Sequence, residues 1–186
     1  MVVVSLVAAL GLAAVRPSAQ TTGAAVATVA SVDLERYLGA WYEIGRYPNW
    51  FQKSCAGDVQ AIYATRPDGR LDVTNRCRRA DGTVTEARGV AKVVDTTTRA
   101  KLKVRFAPAI LSWLPMVWGD YWVLGLAPDY SWVTVGTPDR KYLWVLARTP
   151  RVDEATLRQA LDVAAANGFD VSRLMMTSQG PRPPAE

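Results

Sequence analysis

The 186-residue chain is 49% hydrophobic and 21% charged, the balance of one globular domain large enough to enclose a core and too short for two full domains. Its formal charge of +5 comes from 22 basic and 17 acidic residues spread along the whole length, which argues against a nucleic-acid stripe and implies mild attraction to anionic surfaces such as phospholipid headgroups. Histidine is absent from the sequence, which removes the commonest general base and metal ligand, and with them Ser-His-Asp, Cys-His and His-ligated zinc or haem chemistry; no metal and no cofactor are expected.

In chain order, Val2 to Val15 is almost continuously apolar, shorter than the roughly 20 residues of a membrane-spanning helix. Arg16, Pro17 and a small-residue tract with an A-x-A pattern at Ala25-Val26-Ala27 follow it. This is the pattern of an export signal, with cleavage after Ala19 or after Ala27, although no Lys or Arg precedes the apolar run. Residues 1–27 are assigned to the signal and 32–177 to the mature domain.

From Tyr37 to Arg148 short alternating or apolar β-rich runs are punctuated by turn signals at regular intervals. Strands are predicted at 41–47, 56–65, 70–79, 83–94, 100–107, 118–126, 131–136 and 141–148. Pro67-Asp68-Gly69, Asp81-Gly82, Pro128-Asp129 and Thr137-Pro138-Asp139-Arg140 supply the preset or positive φ of tight reversals, so sequential strands are antiparallel neighbours. An eight-stranded up-and-down sheet closes into a barrel with room for one small ligand. After Pro150 the period changes to 3.6: Leu157, Leu161, Ala164 and Ala165 share a face of a helix over 152–167, Asp153 and Glu154 suit its N-terminus, and Asn167-Gly168 stops it. An extended piece over about 169–176 and a disordered, polar, Pro-rich tail over 178–186 complete the chain.

The segment Leu34 to Ile44, with Gly39-Ala40-Trp41 at its centre, resembles the G-x-W signature of the lipocalin family. Pro128-Asp129-Tyr130 resembles the family's T-D-Y turn between the sixth and seventh strands, and Arg148 closes the eighth. Gly39 to Phe51, Tyr142 to Pro150 and Gly168 to Ser172 are similar to bacterial lipocalins related to apolipoprotein D. The resemblance covers roughly residues 32–177 and implies an all-β, eight-stranded up-and-down barrel with one C-terminal helix packed outside. An up-and-down path brings the start of the first strand, the sixth-to-seventh turn and the end of the eighth to one end. There Trp41 fills the floor and the Arg148 guanidinium lies across its indole, a contact worth about 0.5–2 kcal/mol. Gly39, Trp41, Asp129, Tyr130 and Arg148 therefore read as structural residues; Pro128 in place of the family's Thr affects a turn hydrogen bond.

Taking Trp41 as inward, alternation places Glu43, Gly45 and Tyr47 on its side, with Val59, Ala61, Tyr63, Leu71, Val73, Asn75, Trp122, Leu124, Tyr142, Trp144 and Leu146 as the cavity lining. The lining is mostly apolar or aromatic, in keeping with seven Trp and seven Tyr, and suits an acyl chain better than a sugar or nucleotide. Glu43 needs a tyrosine, arginine or water partner to offset burial. A C16 chain with about 14 methylenes transfers roughly 11 kcal/mol gross against an association cost of at least roughly 4, so micromolar affinity needs no polar anchor.

The loops over 48–55, 79–83, 107–117 and 137–140 ring the open end. Residues 107–117 carry no charge. Trp50 and Phe51 with Ile110, Leu111, Trp113 and Leu114 either dip into a membrane surface or fold inward as lid or cavity wall. Cys55 and Cys77, the only cysteines, read as a disulfide in an exported chain, worth roughly 3 kcal/mol for a loop of about 22 residues. A hairpin about Asp68 sets Cys77 opposite residue 59, so the bond needs a folded-back loop or a bulge. No cysteine lies near the signal's end. A periplasmic or secreted protein is therefore expected, not one anchored through an acylated N-terminal cysteine.

The expected function is carriage of a fatty acid or lysophospholipid for envelope storage, transport or scavenging, as a monomer or weak homodimer without nucleic acid and without catalysis. The alternatives are a protein-interaction module using the apolar mouth, or a lipocalin-like enzyme resting on Glu43, tyrosine or cysteine.

Overall fold

A computed structural model describes residues 24–180; the apolar run at 2–15, the site after Ala19 and the tail beyond Gly180 lie outside the described residues. The order is α1 (Leu34–Tyr37), β1 (Gly39–Arg46), β2 (Gly57–Thr65), β3 (Leu71–Arg78), β4 (Val84–Val93), β5 (Lys101–Arg105), β6 (Gly119–Leu126), β7 (Trp132–Gly136), β8 (Leu143–Ala147), α2 (Glu154–Ala166) and β9 (Met175–Met176). Each strand from β1 to β8 pairs antiparallel with the next, and β1 pairs with both β8 and β2. The sheet therefore closes, which leaves no free edge among its eight principal strands. All eight predicted strands are present, each end within two residues of its predicted place.

Three bulges break the alternation. One extra residue sits between Glu43 and Gly45 against β8, one between Gly57 and Gln60 against β3, and one between Val123 and Gly125 against β7. Each reverses the side-chain parity beyond it. The first also lets β1 leave β2: Gly39 to Tyr42 pair with Gln60 to Tyr63, while Gly45 and Arg46 pair with β9.

The C-terminal segment fills the resulting split. The Asp58 amide donates to the Ser178 carbonyl, the Gln179 amide side chain donates to the carbonyls of both Glu43 and Val59, and the Gly180 amide donates to the Asp58 carboxylate. The disorder expected from residue 178 is thus corrected for 178–180, whose polar groups replace the ladder bonds lost at the split.

The helix α2 starts at Asp153, whose side chain accepts from the Thr156 amide at 2.7 Å, and ends at Gly168 with φ +79°, a conformation glycine adopts without strain. It lies outside the barrel against β6, β7 and β8. Ala160 and Ala164 are fully buried, whereas Ala165, expected on that face, is exposed. The Thr134 hydroxyl donates to the Ala160 carbonyl from the barrel beneath.

Residues 24–32 run down the outside: Ala24 and Ala27 hydrogen-bond to Arg140 and Asn167, and the Val29 and Val32 amides donate to the carbonyls of Val123 and Thr98. Val26 is buried beside Tyr47, Leu124 and Phe169. The packed body thus reaches back to residue 24, ahead of the expected start at 32, and cleavage after Ala27 would strip Val26 from its packing.

Candidate ligand-binding site

The closed end is built from three separated stretches. The Arg148 guanidinium lies 3.8 Å from the Trp41 ring centre and donates to the carbonyls of Ala40 and Arg36, while the Trp41 indole N–H donates to the Tyr37 carbonyl at 2.9 Å. Gly39 holds φ +86° with Arg148 above it. Tyr130 accepts from the Asp33 amide and is covered by Arg36 at 4.0 Å. Asp129 accepts from the hydroxyl and amide of Ser131, which hold its carboxyl below its ordinary pKa. These contacts seal the floor.

Residues paired in register share a face, so Trp41 fixes the inner set: Ala61 and Tyr63, then Leu71, Val73 and Asn75, then Ala87, Gly89 and Ala91, then Leu102, Val104 and Phe106. Tyr121, Val123, Val133, Val135, Trp144 and Leu146 complete the circle. Near the floor this interior is filled, with Trp41, Ala91, Val133 and Val135 fully buried. Tyr37 and Tyr63 both hydrogen-bond to the Tyr121 hydroxyl, at 2.7 and 2.9 Å. Burial pushes the Tyr63 phenol up to about 12 and raises Tyr37 and Tyr121 as well.

Toward the mouth the same faces open. Phe106, seated over Gly89, is 45% exposed, Ala87 is exposed, and Asn75, Val104, Tyr142 and Trp144 are half-buried. The Asn75 side-chain oxygen Oδ1 has no partner. Tyr142 stacks on Trp144 with centres 5.8 Å apart, and Phe51 from the first loop packs on both. The inner face of the mouth-side half is thus apolar and aromatic and less tightly covered than the floor, a surface suited to a small hydrophobic molecule.

Residues 32–179 match the profile of the lipocalin-like domain. The chain is 40% identical over 158 residues to temperature-induced lipocalin-1 of Arabidopsis thaliana, covering 84% of each chain. It is 37% identical over 163 residues to the outer membrane lipoprotein Blc of Escherichia coli, covering 87% of this chain and 88% of that one, and 35% identical to apolipoprotein D of Macaca fascicularis over 79% and 77%. The chain belongs to the lipocalin family. Among solved structures, insecticyanin of Manduca sexta superposes with a TM-score of 0.64 at 19% identity, covering 83% of this chain and 85% of that one.

Lipocalins bind small hydrophobic ligands, and most of the expected lining of this lipocalin faces its interior: Glu43, Val59, Ala61, Tyr63, Leu71, Val73, Asn75, Tyr142, Trp144 and Leu146. Four residues do not. Tyr47 lies past the β1 bulge, outside, with its hydroxyl donating to the Asp170 carbonyl at 2.8 Å and its ring against Phe169. Trp122 pairs with Lys101 on the outer face, under that ammonium at 4.4 Å. Leu124 packs outward with Leu143, Ala164 and Phe169. Gly45 likewise turns outward against Leu174, while Arg46 turns in. Ala87, Leu102, Val104, Phe106, Tyr121 and Val123 join the lining without having been anticipated. For Phe106 the signal is present in Lys101 to Phe106, where charged and apolar residues alternate strictly.

Glu43 is buried and does have the arginine partner its direction demands: Arg46 donates to it at 2.5 Å, with Gln52 and Thr177 completing the shell. Cys55 and Cys77 form a disulfide with Cα atoms 5.5 Å apart; a folded-back loop and the β2 bulge are both present. No thiol is left among the described residues for nucleophilic chemistry.

The 107–117 loop forms two 3₁₀ turns, Ala109–Leu111 and Pro115–Val117, and leans over the outside of β4 and β5. Trp118 donates to the Ser112 carbonyl and lies beneath Lys92 at 4.2 Å, and Trp113 borders a cleft with Lys92 and Lys103. Ile110, Trp113 and Met116 are 81%, 76% and 84% exposed; Leu111 is less exposed and Leu114 half-buried. Trp50 is exposed and packs edge-on against Phe51.

Proposed function

We propose that this lipocalin carries one single-chain lipid, a fatty acid or lysophospholipid, within the cell envelope and exchanges it with a membrane on which its mouth docks. The observation that carries the reading is the inner face of the barrel: a floor closed by Trp41 and Arg148 under an apolar wall of Phe106, Tyr142, Trp144 and Val104 that stays partly exposed. Each methylene moved into such a site gains about 0.8 kcal/mol, so a long acyl chain outweighs the cost of association without a sugar- or nucleotide-reading set of polar groups. The envelope setting draws on the apolar N-terminal run and on the outer-membrane lipoprotein among the relatives. Binding without chemistry follows the family, whose members are generally carriers, and Glu43 is committed to its own hydrogen bonds.

Membrane docking rests on the exposed crest of Ile110, Trp113 and Met116 beside Lys92, with Lys103 nearby in an ion pair with Asp120, an apolar wedge with a cation at its side that suits an anionic lipid surface. The neutral dye N-phenyl-1-naphthylamine should bind once per chain and be displaced by palmitate and lysophosphatidylethanolamine, with Trp144→Asp weakening both at least about tenfold. Absence of displacement would remove the carrier reading. Sedimentation with phosphatidylglycerol vesicles should fall severalfold in an Ile110→Ser, Trp113→Ser variant; undiminished binding would remove docking and leave the carrier.

A further inference from the structure

Between the first mouth loop and β9 lies a cleft of about 430 Å³ bordered by Arg46, Asn49, Trp50, Gln52, Lys53 and Met175. It sits where β1 leaves β2, and no acidic side chain lines it. Arg46 is there because the β1 bulge turned it inward, and it is only 7% exposed. One terminal nitrogen donates to Glu43 and Thr177, but its Nε–H meets no acceptor. A buried guanidinium with an unused donor is a costly arrangement, and a guanidinium bordering a cleft is a strong partner for an oxyanion. Lys53 supplies a second cation and makes no ion pair among the described residues.

Gln52 joins this cleft to the barrel. Its carbonyl oxygen accepts from the Trp144 indole at 3.1 Å and from Asn49 at 2.7 Å, and its amide donates to Glu43 at 2.8 Å. Its backbone amide is held by the Asn49 side chain, and the loop is tied to β3 through Cys55. One fixed side chain thus stands between the aromatic wall of the barrel and the basic cleft.

We infer that the cleft is a headgroup site: Arg46 and Lys53 bind the oxyanion, carboxylate or phosphate, of an amphiphile whose chain lies against Trp144 in the barrel. This rests on the carrier reading and adds to it a charge selectivity that an apolar wall alone does not supply. Two cations against the single carboxylate of Glu43 leave the site net positive, and the Arg46 guanidinium is fixed by Glu43 and Thr177 before the ligand arrives.

The test compares displacement of N-phenyl-1-naphthylamine by three twelve-carbon amphiphiles, laurate, dodecyl phosphate and dodecanol. At low salt at least one anion should bind about fivefold or more tighter than dodecanol, and the better of the two identifies the headgroup. Lys53→Ala should shrink the anion-to-alcohol ratio severalfold, and the paired change Glu43→Gln, Arg46→Gln, which removes the buried ion pair together, should bring it near one. Glu43→Gln alone, leaving Arg46 in place, should keep or raise the ratio. If dodecanol binds as well as both anions, the headgroup site is overturned and the carrier reading stands. A ratio untouched by Lys53→Ala and by the paired change overturns it equally, and if none of the three displaces the dye both readings fall.

Discussion

Arg148 spends its charge on structure. Its guanidinium stacks on Trp41 while donating to two carbonyls of the chain that crosses the floor, so Arg148→Met loses a cation–π contact and two charge-assisted hydrogen bonds at once. Urea unfolding should show a loss of about 1–3 kcal/mol with dye affinity changed less than about twofold; unchanged stability would mean the stack contributes nothing. The tyrosine trio makes a different statement. A phenol whose pKa is raised in the fold contributes stability that is complete below its unfolded value near 10 and is lost as pH rises toward the folded value. For Tyr63 that window runs from about 10 to about 12. Unfolding free energy should therefore fall between about pH 10 and 12, and a Tyr37→Phe, Tyr63→Phe, Tyr121→Phe variant should fall less steeply. Identical slopes in the two proteins would contradict the burial that raises these groups.

At the scale of elements, legibility followed asymmetry. Strands with one wet face announce their phase, as in β3, where Leu71 and Val73 alternate with Asp72 and Thr74. In β6 both faces are covered, by the interior on one side and by Val163 and Phe169 on the other, so Tyr121-Trp122-Val123-Leu124 offers no contrast and its phase was assigned one residue out. The β1 bulge leaves no sequence mark either: Ile44 and Gly45 are unremarkable until Leu174 and Met175 are seen pressed against the glycine. The 3.6 period and its caps located α2 because helix ends carry their own chemistry. The cysteines declared a bond but not the bulge that permits it. Since that bond closes a segment of 22 residues, Cys55→Ser with Cys77→Ser should cost roughly 3 kcal/mol, read by thermal or urea unfolding. A double variant as stable as the native protein would mean the loop is held by Asn49 and Gln52 alone.

For the whole molecule, the barrel has a closely packed floor that contributes stability and a mouth-side half whose inner residues stay partly exposed. The division follows side-chain size: Trp41 and three tyrosines crowd the floor, whereas small Ala61 and Ala87 line the wall above it and Gly89 makes room for the Phe106 ring. The family and barrel were legible because the signature residues converge on one end, while the polar seam of Glu43, Arg46 and Gln179 depends on long-range encounters that no local pattern encodes. The most direct check on the central claim is tryptophan quenching by 9,10-dibromostearate, which reports only on indoles near the bound chain. Quenching should saturate at one equivalent, lose most of its amplitude in Trp144→Phe and keep it in Trp122→Phe. Quenching that survives loss of Trp144 but disappears with Trp122 would place the lipid outside the barrel and contradict the account.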